Sequence, residues 1–82
     1  MLKVEMLTDK KISEGDINEI AIVLDNDGID FLCEELQKLK SVPVPEHIHL
    51  GTEEWAGYGL DSTPAEPGYI RINQLRIAKI KG

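Results

Sequence analysis

The strongest constraint on this fold is one helical segment with hard ends, set among apolar segments that alternate. Ile29, Leu32, Cys33, Leu36 and Leu39 fall at three- and four-residue steps, the spacing of a single apolar helix stripe. Asp27 is placed to cap the N-terminus, and Asp30 lies in the first turn, where the helix dipole favours an anion. Glu34 and Lys38 stand four apart in the favourable order on the other face. Lys38 and Lys40 complement the C-terminal dipole, and Pro43 and Pro45 forbid continuation. A helix with one apolar stripe must lie on an apolar surface that the rest of the chain supplies.

The remaining segments read as strands. Leu2 to Leu7 alternates apolar and polar residues and predicts a half-buried strand. Residues 8–16 form a polar loop with Gly15 as turn signal. In 17–24 the even positions from Ile20 are large and apolar and the odd ones smaller, which suits a central strand. Glu46-His47-Ile48-His49-Leu50 alternates again, with Ile48 and Leu50 on one face and both histidines on the other. Residues 55–60 read as a strand loosened by Gly57 and Gly59, and 61–68 as a loop. Tyr69 to Ile72 alternates, Asn73-Gln74 breaks the period and Leu75 to Ile77 resumes it, so a bulge is expected at the break.

The expected architecture is α+β in the order β-β-α-β-β-β: a mostly antiparallel sheet of about five strands with the helix on one face. The other face stays partly exposed and carries His47, His49, Arg71 and Arg76. At 82 residues this is one domain, and 41% hydrophobic with 29% charged residues is the composition of a folded globule. Net charge −6 argues against phosphate-backbone binding, so nucleic acid is not the expected partner. An acidic chain does suit a basic partner drawn in by electrostatic steering. All 15 acids precede residue 67, whereas Arg71, Arg76, Lys79 and Lys81 follow it, so the last strand is read as presenting a basic face to acidic neighbours. No apolar run approaches the roughly 20 residues of a membrane span, and the N-terminus lacks signal-peptide features. The lone Cys33 cannot staple the fold, so a cytoplasmic location is expected.

Three clusters bear on chemistry. His47-x-His49 puts two imidazoles on one strand face about 6.5–7 Å apart along the chain, a spacing metal sites use. A third ligand is missing, because Glu46 points to the opposite face and Glu53 or Glu54 returns only through the turn. A general-base role needs an oriented nucleophile, and no motif places a Ser or Cys for it. Asp25-Asn26-Asp27-Gly28 resembles part of a calcium loop, but the first ligand position falls on Val23, so a turn and helix cap is preferred. In Glu53-Glu54-Trp55-Ala56-Gly57-Tyr58-Gly59, the single Trp is either a core plug or a binding anchor of the kind that dominates interfaces.

Asp27-Gly28 with the stripe through Leu39, His47-Ile48-His49-Leu50, Glu53-Glu54-Trp55-Ala56-Gly57 and Leu75-Arg76-Ile77 together resemble a known family. The layout is similar to the small α+β immunity proteins of bacterial polymorphic-toxin systems, across roughly residues 17–80. It departs from that group at Trp55-Ala56-Gly57, where Trp-Gly-Gly is usual, and at Asn73-Gln74, where a histidine or other bulky residue is usual. The resemblance implies a non-catalytic, cofactor-free bacterial protein that binds and neutralises a cognate protein toxin. Its expected contact patch is His47, His49, Glu53, Glu54, Trp55 and Tyr58, with Trp55 or Tyr58 as anchor and the acids as steering charge. The alternatives are a structural or regulatory partner protein, homodimeric through an edge strand or the open sheet face, and a small metal-binding protein built on His47 and His49.

Overall fold

In the computed structural model, residues 1–7, 19–55 and 57–81 are described. They form β1 (Leu2–Leu7), β2 (Ile20–Leu24), α1 (Asn26–Ser41), β3 (Glu46–Gly51), β4 (Tyr69–Ile72) and β5 (Gln74–Lys79). The α+β class is as expected, and the β-β-α-β-β-β order matches, although its last two strands come from splitting the segment expected as one bulged strand from Tyr69 and not from 55–60. The loop expected at 8–16 and the first two residues of the strand expected at 17–24 lie outside the described residues.

The strands divide between two antiparallel sheets, where one was expected. One has the order β2-β1-β4 and the other pairs β3 with β5. The division follows from the period break at Asn73, which is a corner between sheets, not a bulge. The Asn73 side-chain oxygen accepts from the Thr52 hydroxyl at 3.0 Å and from Arg71 Nε at 3.1 Å. Its carbonyl accepts from Thr52 N–H at 2.9 Å. Held by both neighbours, the chain leaves β4 beside β1 and enters β5 beside β3.

β1, not β2, is the central strand. Leu2 and Val4 point into the core with Leu50 and Leu60, and Leu24, Phe31, Leu32, Ile72 and Leu75 pack around them. β2 is an edge strand, and its Ile20 and Ile22 are half exposed, as is Ile70 across Met6. The polar face of β1 is buried as well. Lys3 and Glu5 are 5% and 1% exposed and form an ion pair at 2.9 Å. The segment 61–66 covers them: Lys3 Nζ donates to Pro64 O, Glu66 N–H donates to Glu5, and Leu2 N–H donates to the Asp61 carboxylate. Alternation predicted a solvent face there because a polar residue reads the same under water as under a polar loop.

The helix begins two residues earlier than expected. Asp25, in extended conformation, is the N-cap and accepts from Gly28 N–H at 2.8 Å; Asp27 falls in the first turn. β2 therefore runs straight into α1 with no linker. Its buried side is Gly28, Glu35 and Leu39 with half-buried Phe31 and Leu32, rotated from the predicted stripe. Ile29 and Leu36 are half exposed and Cys33 is exposed, so Cys33 is not on the core stripe. At the far end, the Lys79 ammonium donates to the Lys40 and Val42 carbonyls, tying β5 to the helix C-terminus.

Candidate functional site

β3 carries the residues the sequence singled out. Its register with β5 pairs His47 with Ala78, Ile48 with Ile77, His49 with Arg76 and Leu50 with Leu75. Period-two alternation sends Ile48 and Leu50 toward the helix and leaves His47 and His49 on the outer face, where both are exposed. The imidazole centroids lie 4.8 Å apart, tilted by 59°. Arg76 is exposed directly opposite His49. A groove of about 420 Å³ opens beside His47, lined also by Glu46, Arg76 and Ile80. Glu46, expected on the opposite face, turns back to His47: its Oε1 accepts from His47 N–H at 2.9 Å and stands 3.7 Å from its Nδ1. Arg71, expected on this face, belongs to the other sheet, where it donates to the Ser62 carbonyl and to Asn73.

The segment 55–60, expected as a strand, is a turn closed by one bridge. Trp55 and Gly57 N–H both donate to the Thr52 carbonyl, at 2.7 and 2.9 Å, and Gly51 and Gly59 form a single parallel bridge. The positive φ values of Gly57 (66°) and Gly59 (89°) produce the reversal. At Gly59 a side chain would also strike Leu50 and Phe31, with a Cβ only 2.9–3.0 Å from their carbons. The turn presents Glu53, Glu54 and Trp55 to solvent, and Trp55 is 48% exposed. It does not plug the core.

Tyr58 is placed differently. Its ring meets Phe31 edge-on at 5.5 Å, and its hydroxyl donates to Glu35 Oε1 at 2.8 Å. Glu35 also takes the Lys38 ammonium at 3.0 Å, which together with the Tyr58 hydroxyl holds its carboxyl below the usual carboxylate range. The same contact raises the Tyr58 phenol. Tyr58 thus clamps the turn to the helix side of β3, while the two histidines occupy the opposite face. The six expected contact residues are a histidine pair, an acidic Trp turn and a tyrosine clamp. Sequence reading missed Glu35, because one acid of the helical pair Glu34-Glu35 gives no sign of a tyrosine from a distant turn.

Among the described residues, no group of three or more His, Cys, Asp or Glu side chains is placed to hold a metal ion. No described helix is long and apolar enough to cross a membrane. No protein-family model, curated protein or solved structure matches the chain.

Proposed function

We propose that this chain is a non-catalytic binding module: a bacterial, cytoplasmic immunity-type protein that neutralises a basic toxin by direct protein contact. The observation that carries the reading is the exposed Trp55, beside Glu53-Glu54, with its N–H and that of Gly57 both bonded to the Thr52 carbonyl. A large aromatic buries much area with few rotatable bonds, which makes it an effective anchor when its backbone is already fixed. Glu53 and Glu54 are exposed beside the anchor, and the chain's net charge of −6 supports steering toward a basic surface. In this reading Trp55 is the anchor, Glu53 and Glu54 set the association rate, and Tyr58 holds the turn in place from behind.

The test is recovery of the untagged protein's partner from its native lysate, followed by purification of that partner and a neutralisation assay. A basic toxin domain bound one-to-one and inactivated by the protein is expected. Trp55→Ala should then weaken the complex by about 2 kcal/mol or more, a typical hot-spot loss, while Glu53→Lys mainly slows association. Unchanged affinity in a folded Trp55→Ala protein sinks the anchor assignment.

A further inference from the structure

We infer that His47 and His49 form half of a transition-metal site that a second copy of this chain completes. The pair is already spaced for one ion. Imidazole nitrogens bind zinc at about 2.0–2.1 Å, and a near-tetrahedral angle between two of them puts the ring centroids about 5 Å apart. The observed separation is 4.8 Å, and both rings stand on the outer face of β3. Glu46, 3.7 Å from His47 Nδ1, supplies the outer carboxylate that commonly orients a ligating histidine, leaving Nε2 to meet the metal. A set of imidazoles suits zinc, copper or nickel and not calcium or magnesium.

Among the described residues, this site has the two histidines and no third ligand. The backbone indicates how two more arrive. Gly51 N–H donates to Tyr58 O at 2.7 Å, and its carbonyl accepts from Leu60 N–H, so both point away from β5. By the alternation of antiparallel strands, the N–H and C=O groups of His49 and His47 face that same outer edge, where Glu46 Oε1 now takes the His47 N–H at 2.9 Å and releases it when a second strand pairs. Among the described residues the β3–β5 sheet has no third strand. A second β3 running antiparallel along this edge sets its own histidines on the same face, with facing Cβ atoms about 4.5–5.5 Å apart. The contact is isologous and closes at two copies, and the four imidazoles fill a tetrahedral shell. Arg76, opposite His49, places a like charge near the ion and limits its affinity.

The experiment is a titration of the untagged full chain with zinc sulfate, followed by calorimetry and by sedimentation velocity. Uptake of half an equivalent of zinc per chain, with the 9.2 kDa mass doubling and returning on addition of EDTA, is expected. His47→Ala and His49→Ala should each lose the zinc-dependent dimer, and Arg76→Ala should bind zinc several-fold more tightly. A mass unchanged by zinc, one-to-one binding by a monomer, or a zinc-dependent dimer surviving in the folded His49→Ala protein would each overturn the inference.

Discussion

Replacing Gly28 by Ala should destabilise this protein, although helix propensity alone predicts the reverse. Gly28 lies in the first turn of α1 and is buried. The start of β1 presses on it so closely that a Cβ there would lie 1.9 Å from the Met1 carbonyl oxygen and 2.7 Å from its carbon. Ordinary contact begins at 3.4 Å, so the main chain of Met1 would have to retreat by about 1.5 Å. That retreat breaks the Asp25 N–H bond to the Met1 carbonyl, now 3.1 Å, and drags on Leu2, which is 2% exposed. Ala gains at most about 1 kcal/mol over Gly in a helix. Against it stand about 1–3 kcal/mol for overpacking and about 1 kcal/mol for the lost hydrogen bond. The net expectation is a loss of about 1–3 kcal/mol, or roughly 5–20 °C in Tm for a domain of this size. Thermal melts followed by circular dichroism measure it, with Gln37→Ala, on the exposed side of the same helix, expected within about 0.5 kcal/mol of the parent. A Gly28→Ala protein as stable as the parent, or more so, would refute the packing argument.

Other consequences follow from the core and from the helix clamp. Leu50, 1% exposed among Leu2, Val4 and Leu60, should cost about 2–5 kcal/mol as Leu50→Ala in urea unfolding, and a loss under 1 kcal/mol would show that the core closes over the gap. Because the folded state lowers the Glu35 carboxyl, through Lys38 first and Tyr58 second, its contribution is full above the ordinary carboxylate range and disappears as pH falls through the folded value. The Tm gap between the parent and Glu35→Gln should therefore narrow on acidification below about pH 4.5; a gap constant from pH 7 to pH 3 contradicts the clamp.

Much of the candidate site was legible in the chain. His47-x-His49 alternates with Ile48 and Leu50, so the exposure of both imidazoles followed from strand period alone once the strand was recognised. The acidic Trp turn was visible as an unusual stretch, but its form was not. Two glycines in 55–60 looked like a loosened strand because sequence does not display φ, and their positive values make a reversal. Tyr58 looked like an anchor equivalent to Trp55 in the same turn, yet its hydroxyl bonds a helix residue 23 positions away. Arg71 and Arg76 looked like residues of one face, and the corner at Asn73 sent them to different sheets.

By itself the sequence determined what depends on local spacing: one helix ended by prolines, strands of period two, the α+β class and the outward histidines. Those properties rest on backbone geometry that repeats every 2 or 3.6 residues, and residue order is sufficient to display it. Only the tertiary structure decided which strand is central, which helix face is buried and where polar groups lose water. Lys3 and Glu5 are buried because a loop some 60 residues away covers them. Glu35 is buried because Tyr58 and Lys38 satisfy its carboxylate, and Gly28 because Met1 occupies the space of a side chain. Each is a contact between distant parts of the chain, and no local period records it.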